Sequence, residues 1–178
     1  MIKFRNPFEF REEDAREPWP LRFDSFAFDA RCYHTLLCSI IFDKEQHSLH
    51  IDHPSNAPNA PDWKDHWHAG YIILQNDVFP PPVEVTWTAL DGIERHAEVD
   101  LAKIFPGREI LHNVPKEDVH EYWARFDRHS ADVFLEVNDR TISVYMRAWV
   151  LTKNPVSSDD PEKMESREDL MLAWTQTY

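Results

Sequence analysis

The chain has 178 residues, with 32 acidic and 19 basic side chains and a formal charge of −13 at neutral pH. This length suits one domain with short appendages, and a composition 42% hydrophobic and 13% aromatic excludes an intrinsically disordered chain. The acidic excess excludes direct binding to nucleic-acid phosphates, and three scattered glycines, Gly70, Gly92 and Gly107, exclude a glycine-rich phosphate loop.

Residues 1–30 alternate aromatics with charges: Phe4, Phe8, Phe10, Trp19, Phe23, Phe26 and Phe28. Pro7, Pro18 and Pro20 break any long helix. The pattern predicts an extended arm with an edge strand at 21–28. Charges crowd Arg11 to Glu17, and no apolar leader core precedes them. No run approaches the ~18 apolar residues of a membrane helix. The expected location is the cytoplasm.

Residues 33–43 are an apolar run bounded by charge, a buried strand, and 47–52 read as its returning partner. Residues 53–68 hold Pro54, Pro58 and Pro61 and follow no period, which predicts a loop. A strand follows at 69–76. Pro80-Pro81-Pro82 then opens a hairpin. Val83, Val85, Trp87 and Ala89 share one face, and Asp91-Gly92 supplies the tight turn. In the return strand from Ile93 to Leu101, Glu94, His96, Glu98 and Asp100 share the polar face.

Residues 115–129 predict the main helix. Pro115 suits a first turn, and Val119, Tyr122, Trp123 and Phe126 form one stripe. Residues 132–137 and 141–151 predict a second hairpin around Asn138-Asp139, with Ile142, Val144, Met146 and Ala148 on one face. Residues 154–165 read as a polar, mobile linker. Ser166 and Asp169 fit the spacing of a capping pair for a short C-terminal helix. The expected fold is mainly β (α+β): an antiparallel two-sheet β-sandwich over 1–153, with 154–178 as linker and helix.

Cys32 and Cys38 are six residues apart. On one strand their Cα atoms would lie about 20 Å apart, beyond disulfide reach, so two reduced, buried thiols are expected. His34 and Cys38 on that strand would be ~13 Å apart, too far for a thiol–imidazole pair. His47, His50, His53, His66 and His68, with Asp52, Asp62 and Asp65, are the densest set of metal-type donors. Strand geometry puts His47 and His50 on opposite faces, and no HExxH pattern occurs. A metal-dependent enzyme or ligand-binding domain using His47–His68 is therefore the alternative reading, and no cofactor or metal is expected.

Two features suit a macromolecular partner. The row Glu94, His96, Glu98, Asp100 sets successive side chains ~7 Å apart on one strand face, and the repulsion among its like charges is one that a cationic partner would relieve. The loop residues Trp63, Asp65 and Trp67 combine indoles with a carboxylate. Trp is a frequent interface anchor, and folding back onto the sheet is the competing outcome. Charge complementarity of this kind speeds encounter with a basic protein.

The stretch Phe79-Pro-Pro-Pro-Val-Glu-Val-Thr-Trp-Thr-Ala-Leu-Asp-Gly, followed by Glu98-Val-Asp-Leu101 and by Ser143-Val-Tyr-Met-Arg-Ala-Trp149, resembles bacterial immunity proteins. These are small β-sandwich proteins, many encoded beside type VI secretion phospholipase effectors. The resemblance covers about residues 68–151. It implies a non-enzymatic protein that binds and blocks a cognate toxin, and it carries over no catalytic residue. The expected partner is that toxin, with a basic surface. No nucleic acid and no membrane is expected, and a homodimer is the self-association left open. The expected contact residues are Trp63, Asp65, Trp67, Glu94, Glu98 and Asp100. A secretion adaptor presenting a sheet edge to a client is a third reading.

Overall fold

A computed structural model of the chain describes residues 16–73 and 79–178. The expected arm residues Phe4, Phe8 and Phe10, and positions 74–76 of the strand expected at 69–76, lie outside them.

The described strands are β1 (Ser25–Tyr33), β2 (Thr35–Phe42), β3 (Glu45–His50), β4 (Tyr71–Ile73), β5 (Val83–Ala89), β6 (Glu94–Val99), β7 (Ser130–Asn138), β8 (Thr141–Ala148), β9 (Val150–Ser157), β10 (Asp160–Arg167) and β11 (Leu170–Thr177). Two short helices, α1 (Leu101–Ile104) and α2 (Glu121–Phe126), sit between β6 and β7. The strands form a five-stranded sheet in the order β11-β8-β7-β1-β4, a four-stranded sheet in the order β3-β2-β5-β6, and a separate β9–β10 ribbon.

The expected mainly β, sandwich-like α+β fold is what the chain adopts. Alternation makes it so: β1 buries Phe26, Phe28, Ala30 and Cys32, and β8 buries Ile142, Val144, Met146 and Ala148. From the other sheet come Cys38, Ile40, Val83, Val85, Trp87, Ala97 and Val99, and all join one apolar core. Both expected hairpins form. Val83 pairs with Val99 across β5–β6, and Asn138 with Thr141 across β7–β8. Their turns are tied together, since the Trp87 indole donates to the Asp139 carbonyl at 2.8 Å and the Leu90 amide to the Asp139 carboxylate at 3.0 Å.

Four expectations are corrected. The first concerns 21–28: β1 is no edge strand but an inner one, parallel to β7 with Ser25 opposite Ser130. The second concerns the cysteines. The chain reverses at His34 (φ 52°), so Cys32 ends β1 in one sheet while Cys38 lies in β2 of the other. Their Cα atoms are 6.5 Å apart and a disulfide joins them, so they are not reduced thiols. The third is the extent of the main helix. Val119 bridges to Thr152 and the His120 amide donates to the Leu151 carbonyl, which takes the backbone out of the helix. The run is a 3-10 turn at Lys116–Asp118 and then α2, whose first turn His120 caps by accepting from the Trp123 amide.

The fourth is the tail. It forms strands joined by a turn at 158–159 and a break at 168–169, and no C-terminal helix forms over 166–174. β8 presents an open edge, and Leu170–Thr177 pairs with it from Arg147 to Thr141. Cross-strand hydroxyl contacts, Thr141–Thr177 at 2.9 Å and Ser143–Thr175 at 3.0 Å, fix that register. Long-range pairing outweighs the local capping signal. Among the described residues, no helix is long and apolar enough to cross a membrane.

Candidate partner-binding face

The two sheets differ in what covers their outer faces. The five-stranded sheet is covered by the loop 53–68. Trp67 is fully buried against Phe134 (ring centroids 4.7 Å apart), and its indole donates to the Asp29 carboxylate. Trp63 packs on Trp67 at 4.9 Å and on Tyr33 at 4.7 Å, beneath the Arg31 guanidinium. Arg147 reaches out of β8 and donates to the Trp67 and Lys64 carbonyls at 2.8 and 2.7 Å. The Lys64 ammonium lies 2.6 Å from the buried Glu136 carboxylate and donates to the Tyr145 hydroxyl at 2.6 Å. Burial opposes the Lys64 charge, yet the hydrogen bonds to Glu136 and Tyr145 outweigh it and raise its pKa. Asn138 also donates to Glu136 at 3.2 Å, and His34 bonds Asn138 at 2.8 Å. This network clamps the loop down.

Among the described residues, no loop covers the outer face of the four-stranded sheet as 53–68 covers the other. Pairing across the strands puts Leu37 beside Thr88 and Glu94, Leu49 beside Ser39, Thr86 and His96, and Gln46 beside Ile41, Glu84 and Glu98. The face thus grades from an apolar side on β2–β3 to an acidic side on β6. Leu37 and Leu49 are 42% and 50% exposed. Ile51, Leu90 and Ile93 are exposed at the adjoining turns.

Electrostatics sharpens this gradient. Glu84 stands directly opposite Glu98, a like-charge cross-strand pair that opposes sheet pairing. Among the described residues no ion pair involves Glu84, Glu94 or Glu98. Arg95, the cation of β6, is turned away into a two-pronged bond with Asp91 at 2.9 and 2.6 Å. That guanidinium, with the Ile93 amide, holds the Asp91 carboxyl at about 2. The glutamates receive no help from it.

The six residues expected at one contact surface therefore separate. Glu94 and Glu98 lie on the open face. Asp100 is occupied as the cap of α1, accepting from the Ala102 and Lys103 amides at 3.1 and 3.3 Å. Trp63 and Trp67 belong to the cover on the opposite sheet, with Asp65 exposed on the same turn. Trp67 is a core side chain, because its ring fills the outer face above Phe134.

Leu37, Ile41, Leu49 and Glu84 complete the face and were not singled out from sequence. Their signal was the odd-position alternation of 37, 39 and 41, hidden inside an apolar run that reads as buried on both sides.

The histidine-rich segment does not converge. His47 packs between Phe28 and Tyr71, each 4.9 Å away. His50 and His53 neighbour each other at 5.6 Å, and His66 faces Asp62 at 3.7 Å. Among the described residues no three His, Cys, Asp or Glu side chains are grouped to hold a metal ion.

No family model, curated protein or solved structure matches this chain.

Proposed function

We propose that the protein is an immunity protein that binds and neutralises a cognate antibacterial toxin, of the kind delivered by type VI secretion, through the open face of its four-stranded sheet. One observation carries the reading: Leu37 and Leu49 lie exposed, with Ile41 half-buried on the same face, beside Glu84, Glu94 and Glu98, which form no ion pair among the described residues. An apolar centre with a charged flank is how a specific interface is composed. The unrelieved Glu84–Glu98 pair gains most from a partner bearing lysine or arginine. The proposal assigns the chain no bond-breaking step.

The compartment follows the redox state. The notional cytoplasmic site of action goes with free thiols, whereas the Cys32–Cys38 bridge supports an oxidising compartment. Alkylation of the isolated protein without reductant decides between the two.

The functional test uses the product of the adjacent reading frame as the binding probe. Wild-type protein is expected to form a stable complex with it. Glu94→Lys with Glu98→Lys should slow association at least about tenfold, with dissociation less affected. Raising salt from about 50 to about 500 mM should slow the wild-type on-rate similarly. An on-rate indifferent to both changes sinks this use of the face.

A further inference from the structure

The Cys32–Cys38 bridge uses both cysteines of the chain, and its two ends differ in surroundings. Cys38, in β2, is 1% exposed and closed in by the core. Cys32, at the end of β1, also lines a cavity of about 290 Å³, shared with Ser48 and His50 of β3 and with Asn56 and Asn59 of the covering loop. One end of the bridge therefore has a path to solvent and the other does not.

His50 adds a second feature. It stands directly opposite Cys38 across β2–β3, so the two side chains share a sheet face. Its Nδ1 is buried and makes no hydrogen bond. A buried polar atom without a partner calls for a role. Beside a sulfur that can leave as thiolate, an imidazole nitrogen is placed to hand over a proton.

The cavity wall narrows the occupant. Its cation, Arg31, is already held by Asp29 at 3.5 Å and by the Trp63 ring, which argues against an anion. A disulfide sulfur is an electrophile for one common class of nucleophile, the thiolate. The volume lies below the roughly 300 Å³ at which pockets for drug-sized ligands begin, which suits a small molecule.

We propose that Cys32 is a thiol-exchange site for a low-molecular-weight thiol that enters through this cavity. The incoming thiolate sulfur bonds to Sγ of Cys32 as the Cys32–Cys38 bond breaks. The electron pair of that bond leaves on Cys38, and His50 supplies the proton that makes it a thiol, regaining one from water. One S–S bond forms for one broken, so the step consumes no further oxidant or reductant. The product carries a mixed disulfide at Cys32 and a free thiol at Cys38, and the covalent link between the sheets is gone. The site uses no part of the open face and stands independently of the immunity reading.

The test incubates the native protein with excess free cysteine, quenches with acid at intervals and maps the adduct by peptic digestion and mass spectrometry. Two variants accompany wild type: Asn59→Trp, at an exposed lining position, fills the cavity mouth, and His50→Gln removes the proton donor. Thermal melting first verifies that both fold. The adduct is expected on Cys32 and not on Cys38, at a rate that rises with thiol concentration and falls about tenfold or more in each variant. No adduct on Cys32, an adduct on Cys38, a rate set by global unfolding and indifferent to thiol concentration, or an Asn59→Trp rate equal to wild type each overturns the site. Slowing by Asn59→Trp alone supports entry through the cavity and strikes His50 from the step. If His50→Gln lowers the melting temperature, the Asn59→Trp rate and the adduct position decide.

Discussion

His129 is 4% exposed and stacks on the Trp123 indole, with centroids 4.1 Å apart. Neither ring nitrogen makes a well-formed hydrogen bond. Burial, reinforced by Arg16, pushes its pKa down, against weaker pulls from the Ala124 carbonyl, Asp24 and Asp127. Burial also lowers His112. Unfolded histidine titrates near 6.5. Below that pH the unfolded chain takes up protons that the native state refuses, so stability falls as pH drops from about 6.5 towards the folded values. The melting temperature should decline between about pH 7 and pH 5. His129→Phe keeps a ring on Trp123 and should flatten part of that decline without loss at pH 7. An unchanged slope would show that His129 does not contribute.

Trp67 carries a second prediction of the same kind. Trp67→Ala should cost about 3–5 kcal/mol by denaturant unfolding while leaving the folded protein's affinity for the proposed toxin partner intact. Loss of affinity at full stability would return Trp67 to an interface. Its sequence context, two indoles among carboxylates, fits both outcomes. Partners far along the chain, Phe134 under the ring and Asp29 accepting from its indole, decide that it goes inward.

Lys64, beside Arg147, is one of the cations that hold the cover on the five-stranded sheet. Glu136 is 4% exposed and its charge is met by Lys64. Lys64→Met should destabilise by about 3–5 kcal/mol, since it strands a buried carboxylate, and Lys64→Met with Glu136→Leu should recover much of that. Equal losses in the single and double variants would deny the coupling. Elements of this sort test what local pattern reveals. The β5–β6 and β7–β8 hairpins were legible because alternation and turn residues lie close together in sequence. β11 was not, because Leu170–Thr177 takes its conformation from the edge of β8. Of the stripe expected at 115–129, Trp123 is buried in α2 but Tyr122 is exposed, and Val119 and His120 commit their backbone groups to β9 instead.

The whole molecule is a sandwich whose layers are joined covalently at Cys32–Cys38. Closing so short a loop contributes about 2 kcal/mol in the chain-entropy model. Reductant should therefore lower the melting temperature by roughly 4–8 °C, read by calorimetry with and without it. Spacing alone hid the bridge, since the same six-residue interval is too long on a straight strand and suitable across a reversal. The acidic excess was plain from composition. Its placement was not, because only the register between β5 and β6 sets Glu84 against Glu98.

The parallel union of β1 with β7 also bears on synthesis. Ser25 meets Ser130 and Tyr33 meets Asn138, so an N-terminal strand waits for most of the polypeptide to leave the ribosome before its neighbour exists. Such distant pairing slows folding and leaves Phe26 and Phe28 without their final surroundings in the meantime. A nascent chain stalled just short of Ser130 should remain protease-sensitive throughout, and one released after Thr177 should become resistant in a single step.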